Sequence, residues 1–121
     1  FARLSGGEKQ LVLIARALHQ NTRTLILDEP CANLDYGNQI RVLEKIRQLS
    51  DKGYTVLLSS HNPNQTFLFS HKVLALSKGE KIAFGKPDDV ITEDTIRTLY
   101  GITGRITQVP GFNSRICIPE I

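Results

Sequence analysis

The sequence of 121 residues contains no methionine, no tryptophan and only two cysteines. Cys31 and Cys117 are far apart and lie outside any C-x-x-C pattern, which excludes a disulfide framework and a zinc site of the usual spacing. Two such cysteines are typical of a protein from a reducing compartment. Because a chain without methionine that opens on Phe1 is hard to interpret as a natural start, we expect an internal fragment of a longer protein.

Long apolar runs and a strong charge of either sign are also missing. The longest apolar run, residues 11–15, ends at Arg16, whereas a helix that spans a membrane needs about 20 apolar residues. The 15 basic and 12 acidic side chains leave a formal charge of only +3 with the histidines neutral. This small excess does not require a polyanionic partner, and no basic run is interleaved with aromatic residues. We therefore predict that the chain does not bind nucleic acid.

What remains is a globular composition, with 40% hydrophobic and 22% charged residues, in a length that suits one domain. The pattern S-x-x-E at residues 5–8 is a capping box, which predicts a helix from about Gly6 to residues 20–21. This helix is apolar on nearly every side, so we expect it to be buried. Asp35 is a favourable N-cap for a second helix over residues 36–50.

Two short apolar runs, residues 25–27 and 55–58, are typical of parallel strands that are buried on both faces. A short helix over residues 63–69 should follow, then a hairpin, a helix that begins at Thr92, and a last small hairpin over residues 105–118. The predicted fold class is therefore α/β, with parallel core strands, flanking helices and a C-terminal β-hairpin.

Each of the two predicted strands is followed by residues that could carry chemistry. Asp28 and Glu29 follow the first strand, where one carboxylate could hold Mg²⁺ and the other could orient a water molecule. His61 follows the second strand, where a neutral imidazole could donate a hydrogen bond to a phosphate oxygen. Taken singly, the acidic pair is equally typical of an ordinary loop, and a lone histidine at a strand end is usually structural.

The start of the first predicted helix is a second candidate site, for an anion. Ser5, Gly6 and Gly7 have little or no side chain in front of their backbone N–H groups, and the helix dipole adds positive charge there. By itself, the string SGGE at residues 5–8 is more typical of a plain glycine-containing cap. The order of the three features along the chain is more specific than any one of them.

Four strings in one order give the sequence its resemblance to the ATP-binding cassette (ABC) family of ATPases. Residues 4–10, LSGGEKQ, resemble the signature motif of that family, and residues 25–30, LILDEP, resemble its Walker B strand. Residues 33–35, NLD, resemble the D-loop, and residues 60–61, SH, resemble the switch histidine. The resemblance covers residues 1 to about 100 and implies part of a P-loop NTPase domain.

The resemblance implies a role for each candidate residue. Asp28 would bind Mg²⁺ through water, Glu29 would be the general base that polarises the attacking water, and His61 would contact the γ-phosphate of ATP. The signature residues would instead close over the ATP that a second subunit holds, in a head-to-tail dimer. These cofactor-binding candidates are Ser5, Gly6, Gly7, Gln10 and, from the D-loop at the same interface, Asp35.

Other parts of the family pattern are missing from the sequence. It contains no Walker A loop of the form G-x-x-x-x-G-K-[ST], no aromatic residue for adenine and no glutamine loop, so the isolated chain is expected to be inactive. We predict that residues 1–103 are the C-terminal half of an ABC ATPase domain and that residues 104–121 are an extension. Cys31 stands where the family commonly has Thr or Ser, and Asn62 stands where it frequently has Asp.

Three further strings, at residues 60–65, 85–87 and 99–102, are similar to those of importer ATPases for iron-siderophores, haem or cobalamin. The implied protein is an ATPase subunit on the cytoplasmic face of the cell membrane. Its partners would be a second ATPase subunit, membrane permease subunits and, indirectly, a solute-binding protein. Two alternatives stay open: a soluble ABC ATPase that acts on DNA or ribosomes, and a truncated module without catalysis of its own.

Overall fold

The structure, a computed structural model, describes residues 6–121. The chain divides into two compact units, of which the first ends at His61 and the second is Asn62–Ile121. The predicted capping serine, Ser5, lies outside the described residues. None of the helices in residues 6–121 is both long and apolar enough to cross a membrane. The domain boundary expected after residue 103 stays a prediction.

The first unit alternates helices and strands. Its elements are α1 (Gly6–His19), β1 (Thr24–Leu27), α2 (Tyr36–Asp51) and β2 (Thr55–Leu58). The strands pair in parallel, from Thr24 opposite Thr55 to Leu27 opposite Leu58, and α2 is the crossover between them. This confirms the predicted parallel strands and both predicted helices.

The second helix, α2, begins where the sequence predicts it. The Asp35 carboxylate accepts a hydrogen bond from the Asn38 N–H at 2.8 Å and so caps the first turn. Four buried side chains at the helical spacing i, i+1, i+4 and i+7 form one apolar face: Val42, Leu43, Ile46 and Leu49. Gly53 follows the helix end with a φ of 96°, a conformation that favours glycine.

Two of the predicted burial patterns are wrong for the described residues. Only Gly7 and Ile14 of α1 are buried. In the strand pair, Leu25 is buried, but Ile26 is 76% exposed and Leu57 is 61% exposed. The physical reason is that successive side chains of a strand point to opposite faces, and the described residues leave the face of Ile26 and Leu57 uncovered. One face of the pair therefore meets solvent.

The second unit contains three short helices and two hairpins. Its elements are α3 (Pro63–Phe69), β3 (Val73–Ser77), β4 (Glu80–Gly85), α4 (Pro87–Val90), α5 (Glu93–Tyr100), β5 (Gly104–Gln108) and β6 (Arg115–Pro119). β3 pairs antiparallel with β4, and β5 with β6, which confirms both predicted hairpins. α4 is not predicted from the sequence, because four residues are too few for a periodic pattern. Its signal was Pro87 followed by two acidic residues, a typical helix start.

The second unit has an apolar core of its own. Buried Ile91, Ile96 and Cys117 form it, and Phe67, Val73 and Ile106 pack against them. A Cβ on Gly104 would lie 2.8 Å from Sγ of Cys117 and 3.0 Å from Cγ2 of Ile96, so the close approach of β5 requires glycine. As predicted, Thr92 caps α5 by accepting the Thr95 N–H at 3.1 Å.

Candidate functional site

The carboxyl ends of β1 and β2 bring the first group of candidate residues together. Because Leu27 of β1 pairs with Leu58 of β2, the residues that follow the two strands, Asp28 and Ser59, lie side by side. The Ser59 hydroxyl donates to Oδ1 of Asp28 at 2.7 Å and accepts the Glu29 N–H at 2.7 Å. One serine therefore joins both acidic residues that the sequence singled out.

Glu29 has an unusual backbone conformation. Its φ of 45° lies in the left-handed region that side chains other than glycine rarely adopt. Its Oε1 contacts Nε2 of His61, and both side chains are open to solvent, at 43% and 83% exposure. Strained backbone of this kind clusters at functional sites. Asp28, Glu29 and His61 are thus brought together, as expected from the order of the strands.

This first group offers oxygen ligands and a proton acceptor at one edge of the strand pair. Carboxylate oxygens are the ligands that Mg²⁺ prefers, so Asp28 fits that ion. Within residues 6–121, no three His, Cys, Asp or Glu side chains form a cluster that could hold a metal by themselves. A magnesium ion bound here would therefore take further oxygen ligands from water or phosphate. Glu29 can accept a proton from a water molecule beside it.

The starts of α1 and α2 bring the second group together. A Cβ on Gly6 would lie 2.8 Å from Cδ2 of Leu34, and one on Gly7 would lie 2.7 Å from Oδ1 of Asn38. The Asn38 N–H is in turn bound by the carboxylate of Asp35. The residues that resemble the signature motif are thus packed closely against those that resemble the D-loop and the turn after it.

The remaining candidates are less informative. Gln10 lies about one turn after Gly6 and Gly7 in α1 and is half-buried. Ser5 lies outside the described residues. Asp35 is exposed, and one oxygen of its carboxylate is used by the helix cap. The roles of these residues towards a nucleotide stay predictions.

Gln39 and Cys31 hold the loop between the acidic pair and α2. The Gln39 side chain donates from Nε2 to the Leu34 carbonyl at 2.9 Å. The backbone carbonyl of Gln39 accepts a hydrogen bond from Sγ of Cys31 at 3.8 Å. Burial raises the pKa of the Cys31 thiol, which keeps the thiol protonated and able to donate. Cys31 is therefore a weak hydrogen-bond donor to the first part of α2.

Sequence reasoning missed two residues of these groups, Ser59 and Asn38. The signal for Ser59 was the alignment of the two apolar runs, because a parallel pair in that register sets it beside Asp28. The signal for Asn38 was its position three residues after the cap Asp35, in the first turn that faces the helix start at Gly7.

Comparison with known proteins identifies relatives of the chain. Residues 1–32 match the family described as ABC transporter. The chain is 38% identical over 116 residues to the iron(3+)-hydroxamate import ATP-binding protein FhuC of Bacillus subtilis, an alignment that covers 95% of this chain and 43% of that protein. It is 35% identical over 117 residues to the ferric enterobactin transport ATP-binding protein FepC of Escherichia coli, with 96% and 43% covered.

Solved structures give the same result for the fold. An inward-facing conformation of a metal-chelate type ABC transporter matches with a TM-score of 0.88 and 30% identity, over 99% of this chain and 49% of that one. The ADP conformation of MJ1267, an ATP-binding cassette of an ABC transporter, matches with a TM-score of 0.67 and 29% identity, over 73% and 36%. The chain spans less than half the length of these proteins. By sequence and by fold, it belongs to the ABC transporter family of ATP-binding proteins, and its fold is part of an ABC ATPase domain.

Proposed function

We propose that the chain supplies the signature, Walker B, D-loop and switch-histidine residues of the ATP-hydrolysing subunit of an ABC importer. The substrate class would be an iron-siderophore, haem or cobalamin-type metal chelate. The observation that carries the proposal is the contact of Glu29 with His61 beside Asp28, at the ends of two parallel strands. Two relatives, an iron(3+)-hydroxamate import protein and a ferric enterobactin transport protein, support the importer class.

Glu29 is the general base in this proposal. Its exposed carboxylate can accept a proton from water, and the contact with His61 keeps the two side chains together. Asp28 holds Mg²⁺ through water, and this ion, when bound with ATP, offsets the negative charge of the phosphates. His61 donates a hydrogen bond to the γ-phosphate.

A second subunit completes the site in this proposal. Ser5, Gly6, Gly7 and Gln10 close over the ATP that the other subunit holds, and Asp35 lies at the same interface. The N–H groups of a helix start suit a phosphate because they are free donors at the positive end of the helix dipole. Hydrolysis is then a property of a head-to-tail dimer. Permease subunits and, indirectly, a solute-binding protein are further partners, at the cytoplasmic face of the cell membrane.

The activity belongs to the full-length protein. We propose residues 1–103 as the C-terminal half of the ATPase domain and residues 104–121 as an extension, and the 121 residues contain no Walker A loop. The exposure of Ile26 and Leu57 supports further elements beside β1 and β2, because parallel sheets of α/β proteins are covered on both faces.

The substitution Glu29→Gln in the full-length protein tests the proposal. It keeps the size and polarity of the side chain but removes the proton acceptor, so ATP turnover should fall by about 10²- to 10⁴-fold, roughly 3 to 5 kcal/mol of barrier. Nucleotide and Mg²⁺ binding should survive, because Asp28 keeps its charge. The variant should therefore trap ATP in a closed dimer, which a sizing column detects as a doubled mass only when ATP is present.

Asp28→Asn is the matched control, because it removes the same charge one residue earlier. This variant should weaken the metal site and give little trapped dimer, in contrast to Glu29→Gln. Turnover near the wild-type rate in Glu29→Gln would contradict the role of Glu29 as the base. An equal amount of ATP-trapped dimer in both variants would contradict the separate roles of the two carboxylates.

A further inference from the structure

One hydroxyl group, that of Ser59, contacts both acidic residues of the candidate site. It lies 2.7 Å from the backbone nitrogen of Glu29 and 2.7 Å from Oδ1 of Asp28. A backbone N–H can only donate, so Ser59 accepts from Glu29, and its single hydroxyl proton is left to donate to Asp28. The chemistry of the two partners therefore fixes the direction of both hydrogen bonds.

The backbone of Ser59 is held as firmly as its side chain. Its N–H donates to the Leu27 carbonyl at 3.1 Å, which continues the pairing of β2 with β1. The hydroxyl thus connects the end of β2, which leads to His61, with the acidic residues at the end of β1. The backbone pairing and the hydroxyl together hold the two strand ends in one geometry.

The connection acts on a residue in a rare conformation. Glu29 has a φ of 45°, and a hydrogen bond to its N–H stabilises that conformation against relaxation to an ordinary one. From this backbone the Glu29 carboxylate contacts His61. Loss of the serine hydroxyl would free the Glu29 backbone and leave Asp28 without the donor that orients its carboxylate.

We propose that Ser59 is a positioning residue for ATP hydrolysis. It acts through two other residues, because it holds the carboxylate of Asp28 and the backbone of Glu29 in a fixed relation. The inference rests on the proposed function, in which these two residues bind the metal ion and accept the proton. It adds a residue that is neither part of the acidic pair nor the switch histidine.

A matched pair of variants in the full-length protein, Ser59→Thr and Ser59→Val, tests the hydroxyl alone. Threonine and valine share a shape, and the exposed position of Ser59 leaves room for the extra methyl group. From the usual worth of a hydrogen bond to a charged group, kcat should be about 10- to 100-fold lower with valine than with threonine. The affinity for ATP measured without a divalent ion should differ by less than about two-fold, because in the proposed function Asp28 acts on the nucleotide only through the metal ion.

A control and a second readout separate positioning from folding. Ser114→Ala removes a hydroxyl that bonds the Arg115 carbonyl at the tip of the last hairpin, and it should leave turnover unchanged. Mn²⁺, used as an EPR probe in place of Mg²⁺ with a non-hydrolysable ATP analogue, should bind about ten-fold more weakly to the valine variant than to the threonine variant. Affinity for the analogue measured without a divalent ion should be the same in both variants.

Equal turnover and equal Mn²⁺ affinity in the two Ser59 variants would overturn the assignment. An equal loss in both, from unfolding or any other cause, would also overturn it, because the effect would then come from shape and not from the hydroxyl. A wild-type protein that binds ATP without hydrolysing it would overturn the proposed function, and this inference with it. The two failures are distinguishable, since the first occurs with an active wild type.

Discussion

The two units of the chain use their polar side chains differently. In the first unit, the exposed hydroxyl of Ser59 joins Asp28 to Glu29 at the ends of two strands. In the second unit, Asn64 makes hydrogen bonds to the backbone of Cys117, which is buried. The first arrangement leaves charged groups accessible to a ligand. The second satisfies backbone groups that burial would otherwise leave unpaired, which stabilises the unit but offers no chemistry.

Both units have a buried apolar core, but they expose apolar side chains on different kinds of strand pair. On the strand pair of the first unit, Ile26 and Leu57 face solvent. In the second unit, Ile91 and Ile96 are almost fully buried with Cys117 in one cluster. The β3–β4 hairpin of the second unit also exposes apolar side chains, but an antiparallel pair commonly has one solvated face, whereas a parallel pair is usually covered on both faces. The candidate site and the uncovered face of the parallel pair therefore lie in the same unit.

The largest effect is expected at Gly7, where close packing and proposed ATP binding coincide. A Cβ there would lie 2.7 Å from Oδ1 and 3.0 Å from Cβ of Asn38. In the full-length protein, Gly7→Asp should abolish ATP-driven dimer closure, measured by sizing column. Nucleotide binding by each monomer should stay nearly intact, because in the proposed function Gly7 contacts only the ATP that the other subunit holds.

A double variant separates the two reasons for glycine at this position. Gly7→Ala should cost about 1 to 3 kcal/mol of unfolding free energy through overpacking. Adding Asn38→Ala removes the two nearest atoms and should restore stability, while dimer closure stays lost. If closure returned together with stability, Gly7 would be needed for packing alone. The single variant Asn38→Ala is the control, and its ATP-driven dimer closure should be normal.

The open face of the strand pair predicts opposite effects in the isolated chain and the full-length protein. Ile26→Thr with Leu57→Thr should make the 121-residue chain less prone to aggregate, measured by light scattering. In the full-length protein, the same pair should lower the unfolding free energy by about 1.5 to 3 kcal/mol for each side chain that the missing layer covers. Leu76→Thr, at 58% exposure on β3, is the matched control from the second unit. An equal gain in solubility from it would show that the two units do not differ.

The sequence predicted local features well and long-range ones poorly, for physical reasons. The helix caps at Asp35 and Thr92 depend on contacts within three residues, so the local sequence alone specifies them. The exposure of Ile26 could not be predicted, because burial depends on which elements cover a strand and not on the strand itself. The Ser59 link was missed for a related reason, since a contact between residues 31 positions apart exists only once the register is set.

A smaller effect, confined to the second unit, is expected at Asn64. Its Oδ1 accepts the Cys117 N–H at 2.7 Å, and its Nδ2 donates to the Cys117 carbonyl at 3.2 Å. Asn64→Ala would leave both groups of a buried residue unpaired and should cost about 1 to 3 kcal/mol in denaturant unfolding. Asn64→Asp keeps the acceptor and should cost less. Asn113→Ala, in the exposed turn of the last hairpin, should change little, and an equal loss there would contradict the importance of the Asn64 contact.

The smallest effect is a pH dependence centred on Cys117 in the core of the second unit. Burial, and next the charge of Glu93, raise the pKa of the Cys117 thiol above its ordinary value of 9.0. The folded protein therefore keeps this proton at a pH where the unfolded chain has released it. The resulting stability is fully present below pH 9.0 and is lost as the pH rises through the higher pKa of the folded state.

Glu93→Gln tests this alkaline effect without disturbing the contacts around it. The glutamine keeps an oxygen that can accept the Ile106 N–H, which Glu93 now binds at 3.1 Å, but it removes the charge that opposes the thiolate. The unfolding free energy, measured from pH 7 to pH 10, should fall less steeply above pH 9 in the variant than in the wild type. Cys117→Ala should flatten the curve further, because it removes the titrating group itself. Parallel curves for all three proteins would show that the thiol does not contribute to the alkaline loss of stability.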